Sequence, residues 1–192
     1  MMGASLLNAV EGNYSGVADA DSKEAMGINL LVNTNEDVVS KFGQAEEHKI
    51  GFEYNSEEGL EYGTLYEYYY KVESPACPVF IKYTFRKVDG KRESYGERSL
   101  VIYDANAFRQ TQNKHFLMEL DCKTVKTKLG LRLGLSRKQI KEIYGDPDRI
   151  TDDYWEYSGG NKMKGCKIST QFRADKVIKI SIIRYAGDDS EQ

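Results

Sequence analysis

The stretch Leu133–Pro147, "LGLSRKQIKEIYGDP", writes out one short helix together with both of its ends. Ser136 stands where an N-cap hydroxyl is needed, and Gln139 three residues on completes a capping box. Ile140, Ile143 and Tyr144 fall on one narrow apolar face, while Arg137, Lys138 and Lys141 take the wet side. Gly145 supplies the stop and Pro147 blocks any continuation. A helix this short is marginal on its own, so it needs its caps and a surface to pack on.

The same device occurs 102 residues earlier, in "VNTNEDVVSKFGQAE". Thr34 matches Ser136, Asp37 matches Gln139, Val38 matches Ile140, Phe42 matches Tyr144 and Gly43 matches Gly145. The correspondence continues downstream. "LYEYY" (Leu65–Tyr69) pairs with "YWEYS" (Tyr154–Ser158), Glu67 on Glu156 and Tyr68 on Tyr157. "IKYTFR" (Ile81–Arg86) pairs with "ISTQFR" (Ile168–Arg173), and "RSLVIYD" (Arg98–Asp104) with "VIKISIIRY" (Val177–Tyr185). Four matched segments in one order point to an internal duplication, with units at 1–110 and 111–192.

The matched segments after each helix alternate as half-buried strands do. Val79, Ile81, Tyr83 and Phe85 share one phase, as do Ile168, Thr170 and Phe172, and Ile178, Ile180 and Ile182. Turn signals separate them: "VDGK" (Val88–Lys91) and "RADK" (Arg173–Lys176). The expected fold is therefore α+β. It comprises two tandem units, each a short helix or helix pair on a three- to four-stranded antiparallel meander. In the first unit "QAEEHKIGFEYNSEEGLEYG", with its six acidic residues, reads as a long loop between helix and strand. The joining segment "FRQTQNKHFLMELDCKTVKTKLGLRLG" reads as a strand whose phase slips near Lys123 and Thr124.

Composition sets the outer limits. Hydrophobic residues make up 40% and charged residues 30%, so a core can form and disorder is not expected. The net charge of -3 is uneven, with residues 1–100 acidic and residues 101–192 basic. Neither half is basic enough to indicate nucleic acid. No apolar run is long enough for a membrane-spanning helix. The start, "MMGASLLNAVEGNYSG", has no basic region followed by a long apolar one, so it is not a signal peptide. Cys77, Cys122 and Cys166 fit no zinc or C-x-x-C spacing. Three free thiols are favoured over one disulfide with a leftover thiol, because two of the three sit at apolar strand positions.

Catalytic chemistry finds few candidates. His48 and His115 have no metal-ligand neighbours and read as solvated surface. Asp152–Asp153 and Glu57–Glu58 read as loop carboxylates, and "SGGNKMKG" (Ser158–Gly165) as a hairpin turn. The acidic stretch Glu46–Glu61 lacks the D-x-D-x-D-G calcium pattern. No metal, cofactor or enzymatic activity is expected.

Two binding surfaces stand out. In "YGTLYEYYYK" (Tyr62–Lys71), Tyr62, Tyr66, Tyr68 and Tyr70 share one face, and Leu65 and Tyr69 the other. Either the tyrosine face is the core of a tyrosine-rich sheet, or it is exposed as large, low-entropy contact area for another protein. Trp155 and Tyr157 follow the same outcome in the second unit. The other surface is the basic strip Lys123–Lys141, where Lys126, Lys128 and Arg132 would share one strand face opposite Val125, Leu129 and Leu131. That face reads as solvated, or docked on the acidic half, or as a site for a small ligand or polyanion.

The segment "GLSRKQIKEIYGDP…YWEY…STQFRADKVIKI" resembles the SmpA/OmlA family of small bacterial outer-membrane-assembly lipoproteins and the wider beta-lactamase-inhibitor-protein-like fold. Gly134, Leu135, Ser136, Gly145, Pro147, Trp155, Tyr157, Phe172, Asp175 and Val177 carry the resemblance, while Ala45 replaces the proline in the first unit. The resemblance implies helices layered on an antiparallel sheet, made twice, and protein binding without catalysis. It also implies a periplasmic or extracellular protein, often lipid-anchored. No lipobox cysteine lies near Met1, so a membrane contact would require an anchor that has been removed; otherwise the protein is cytoplasmic.

Overall fold

Alternating Val, Ile, Tyr and Phe dominate the middle of the chain, and strands dominate the structure. The computed structural model describes residues 21, 24–30, 32–56, 59–72, 79–91, 96–106, 116–118, 122–159 and 165–186. In chain order these form β1 (Glu24–Ala25), β2 (Ile28–Asn29), α1 (Asn35–Phe42), β3 (Glu46–Ser56), β4 (Gly59–Val72), β5 (Val79–Val88) and β6 (Gly96–Asp104). Then come β7 (Phe116–Met118), a 3-10 turn (Cys122–Thr124), α2 (Arg137–Tyr144), β8 (Arg149–Ile150), β9 (Tyr154–Gly159), β10 (Cys166–Arg173) and β11 (Lys176–Ala186).

The expected pair of helix-on-sheet units does not form. The chain is mostly β, its two described α-helices span 8 residues each, and both meanders belong to one sheet. The strand order is β3-β4-β5-β6-β11-β10-β9-β8, antiparallel throughout, with β7 added in parallel beside Tyr70–Val72 of β4. The reason lies at β6 and β11. Each is the last strand of its meander, and each carries apolar residues on its inward face. Leu100 lies opposite Ile182 and Ile102 opposite Ile180, and all four are fully buried. Leaving either strand as a solvated edge would expose both that apolar row and a row of backbone donors and acceptors. The expected boundary between units, at residues 110 and 111, lies outside the described residues.

Two further expectations are corrected. The acidic stretch after α1 is not a loop: Glu46–Ser56 is an 11-residue strand, zipped to β4 without a register break. The basic strip is not a strand. Residues 125–135 run through turns, with Thr127 N–H donating to the Leu131 carbonyl and Gly130 N–H to the Thr127 carbonyl. Gly130 and Gly134 both take positive φ, which bends the chain out of the extended path.

Both helices lie on one face of the sheet. From α1, Val38 is buried and Phe42 packs on Tyr70 and Tyr83, with ring centroids 5.9 and 5.6 Å apart. From α2, Ile140 and Tyr144 are buried, and Tyr144 lies 5.1 Å from the Tyr157 ring. Both capping boxes form as read, Thr34 with Asp37 and Ser136 with Gln139. Both helices stop on a glycine with positive φ, Gly43 and Gly145, whose N–H closes the last turn. Each glycine carbonyl then accepts a tyrosine hydroxyl from the sheet below: Tyr70 at 3.1 Å and Tyr157 at 3.2 Å.

These shared bonds fix how the halves correspond. Tyr70 lies opposite Ile81 and Tyr157 opposite Ile168, so Tyr157 is the counterpart of Tyr70, and Trp155 that of Tyr68. The sequence match of Tyr157 with Tyr68 is therefore two residues out of register. By strand pairing the halves are related by an approximate two-fold through the Val101–Ser181 pair. Arg98, only 2% exposed, ties the seam to the segment before α1 by donating to the Leu30 carbonyl at 3.4 Å and to the Asn33 carbonyl.

Candidate functional site

The face that carries the helices buries most of its tyrosines. Tyr68, Tyr70, Trp155 and Tyr157 are all buried in the core, and Tyr66 is half-buried against it. Of the six aromatic residues offered as a protein-binding surface, Tyr62 alone is exposed, at 52%. The tyrosine face is the core face. Burial raises the Tyr70 hydroxyl to about 12 and pushes Tyr157 and Tyr68 higher, so all three stay protonated donors at neutral pH. The Tyr68 hydroxyl donates to Glu47 at 2.9 Å, at the edge of an open groove of about 550 Å³ between α1 and β3.

The opposite face, on which Leu65 and Tyr69 lie, carries the open chemistry. No described helix lies on it. Across β4 and β5 it presents Glu67, Tyr69 and Lys82, all half-buried. The Tyr69 hydroxyl donates to Glu67 at 2.7 Å, Lys82 Nζ donates to the other Glu67 oxygen at 2.9 Å, and the Lys82 ammonium lies 5.8 Å from the Tyr69 ring. His48 of β3 completes the edge, its ring 5.2 Å from Tyr69.

A second cluster of the same composition lies on β9 and β10, across the seam. The Tyr154 hydroxyl donates to Glu156, and Lys167 Nζ lies 3.3 Å from the other Glu156 oxygen. The order differs: Glu67 precedes its tyrosine by two residues, while Glu156 follows its own by two. In both, burial alone would raise the carboxyl. Hydrogen bonds from the tyrosine and the lysine, with the lysine's charge, outweigh burial and hold Glu67 and Glu156 below the ordinary glutamate value. Between the clusters run half-buried Val101, Lys179, Ser181, Ile183 and Tyr185 of β6 and β11. In each cluster a glutamate is held by both a tyrosine hydroxyl and a lysine, so these side chains are preorganised contacts.

The sequence signal for this face was available. Glu67 and Tyr69 alternate against Tyr68 and Tyr70, and Lys82 alternates against Ile81 and Tyr83. The larger number of tyrosines on the other phase masks it.

Lys126, Lys128 and Arg132 are exposed on the turns of residues 125–135, beside Leu129, which is 46% exposed. Val125 and Leu131 are buried, whereas Leu129 is not, so the strand alternation is lost. Thr127 points inward to a buried polar cluster. Its hydroxyl lies 3.3 Å from that of Tyr144, which donates to the fully buried Asp21 carboxylate; Asp21 also accepts the Leu129 N–H at 2.5 Å. Burial and the Asp21 charge push Tyr144 far above the usual tyrosine range.

Among the described residues, no three His, Cys, Asp or Glu side chains come together as a metal site. Cys166 is a buried free thiol. Asp153 accepts from Thr151 and Gln171, and the Asp152 carbonyl accepts from Arg137, so this acidic pair is built into the loop. His115, Cys77, the Glu57–Glu58 pair, residues 160–164 of the glycine-rich turn and the acidic C-terminal residues 187–192 lie outside the described residues, as does the Cys122 side chain. No described helix is long and apolar enough to cross a membrane. Comparison with family models, with curated proteins and with solved structures finds no match to this chain.

Proposed function

We propose that the chain is a non-enzymatic protein-binding module, and that its contact surface is the helix-free face of the sheet. The observation that carries this reading is the pair of Glu–Tyr–Lys clusters, Glu67–Tyr69–Lys82 and Tyr154–Glu156–Lys167, held by hydrogen bonds on either side of the seam. Side chains fixed in advance lose little entropy on docking, and Tyr is enriched where binding energy concentrates. The resemblance to envelope-assembly lipoproteins and inhibitor-like sheets points the same way. On that resemblance the protein would work in the periplasm or outside the cell, with any membrane contact made through a lipid anchor.

Photo-crosslinking groups placed at Tyr69 and Tyr185, with one at Lys138 on the helix side as control, test the proposal. Adducts with a partner protein should form from the first two positions. Tyr69→Ala with Lys82→Glu should weaken that partner's binding about tenfold or more, the effect of losing one contact of roughly 1.4 kcal/mol. Adducts from Lys138 alone, or from none of the three, would sink it.

A second reading rests on Lys126, Lys128 and Arg132, exposed together and with no ion pair among the described residues. Here they form a polyanion or small-anion site. Lys126→Glu with Arg132→Glu should then abolish a salt-sensitive binding to heparin, and binding that persists would exclude this reading.

A further inference from the structure

β3 ends the strand order, and among the described residues nothing pairs with its outer side. Its backbone orientation follows from the ladder beneath it. The Tyr62 carbonyl accepts the Asp89 N–H at 2.9 Å, so the polar groups of Tyr62 point toward β5. Tyr62 lies opposite Glu53, and in an antiparallel pair such residues turn their N–H and C=O away from each other. Glu53 therefore presents its N–H and C=O outward, and so do Gly51 and Lys49 at the two-residue period. Side chains on this edge are open: Lys49, Gly51 and Glu53 are exposed, and Ile50 is 48% exposed. Phe52 is held in place, because Gly63 beneath it has no room for a Cβ (2.6 Å from the Phe52 ring) and Arg86 lies 4.3 Å from the ring.

We propose that β3 is a self-pairing edge, on which a second copy of this chain adds its own β3 antiparallel with the two-fold axis at Gly51. In that register Gly51 meets Gly51 as a hydrogen-bonded pair, its N–H and C=O already turned outward. Lys49 meets the second copy's Glu53, twice, on one face. Ile50 meets the second copy's Phe52, twice, on the other, at the non-hydrogen-bonded positions where side chains approach most closely. No other axis between Lys49 and Glu53 does this. An axis at Lys49 or Glu53 sets like charges opposite themselves, one at Ile50 sets Glu47 opposite Glu53, and one at Phe52 leaves Lys49 facing Asn55. Lys49 is available, since its contact with Glu47 at 3.4 Å is a surface pair of little strength. The sheet would then continue unbroken from one copy into the next, and both helix-free faces would lie on one extended surface.

Charges on a sheet edge also serve to keep other strands away, which predicts a monomer. Sedimentation velocity across the micromolar range separates the two. Wild type should show a concentration-dependent dimer. Lys49→Glu and Glu53→Lys, each confirmed folded by circular dichroism, should each weaken it about tenfold or more, and the double variant should restore it. In the unmodified chain, the amides of Lys49, Gly51 and Glu53 should gain protection from hydrogen exchange as concentration rises. A monomer at every concentration, a dimer indifferent to both single reversals, a double variant that stays monomeric, or unchanged amide protection would each overturn the proposal.

Discussion

The two helix–strand junctions use the same frame and different fillings. In the first, Phe42, Tyr70, Tyr83 and Phe85 make a nearly all-aromatic stack under α1. In the second, Thr170 stands at the place of Tyr83, Tyr144 replaces Phe42, and the Tyr144 hydroxyl is met by Asp21 and Thr127. What persists in both is a capped helix of 8 residues, a glycine with positive φ, and a tyrosine hydroxyl on that glycine's carbonyl. Each helix is thus tied to the sheet in the same way, through the backbone carbonyl at its C-terminal end. The side chains between helix and sheet differ in size and polarity while the frame persists.

The seam offers the strongest way to break this picture, because there the two halves cease to be separable. Ile180→Ala removes a fully buried side chain shared by both, and should cost about 2–5 kcal/mol. Urea unfolding followed by fluorescence and by circular dichroism should still show one transition. Two transitions, one per half, would show that the continuous sheet does not couple them.

A smaller effect sharpens the contrast between the fillings. Tyr144→Phe leaves the buried Asp21 carboxylate without its hydroxyl donor, which should cost roughly 1–3 kcal/mol. Tyr70→Phe removes only the bond to the Gly43 carbonyl and should cost about 0.5–1.5 kcal/mol. Equal losses at the two positions would deny the second junction its separate polar anchor. Smallest is the pH effect of the two Glu–Tyr–Lys clusters. Glu67 and Glu156 are held below 4.5, so the stability they contribute is complete above that pH and fades as pH falls through their lower native values. Thermal midpoints should drop less on acidification in Glu67→Gln with Glu156→Gln than in wild type.

Much of this architecture could be read from local pattern. The caps, the helix stops and the strands around Ile81, Ile168 and Ile180 were legible because each rests on residues within one turn or one alternation. β3 was not. Ile50 and Phe52 do alternate, but Glu46, Glu47 and Glu53 give the stretch the composition of a loop. The turns at Lys126–Arg132 were hidden in the opposite way, since Leu129 and Leu131 imitate a strand that Gly130 breaks. The tyrosine face could not be assigned locally, because Tyr serves equally in a core with a hydroxyl partner and on a wet surface. The joining of β6 to β11 left no local trace either. Two strands that finish separate meanders look the same whether they remain edges or find each other, and the candidate site lies on the surface their pairing creates.

That pairing also has a consequence in time. Leu100 meets Ile182 across an interval of more than 80 residues, so the meander that ends at β6 is synthesised well before its neighbour exists. At roughly 5–20 residues per second, the ribosome leaves that strand waiting for about 4–16 s. Throughout that interval its open side could bind any extended chain nearby. Early growth of the chain is therefore when it is most open to pairing with the wrong strand.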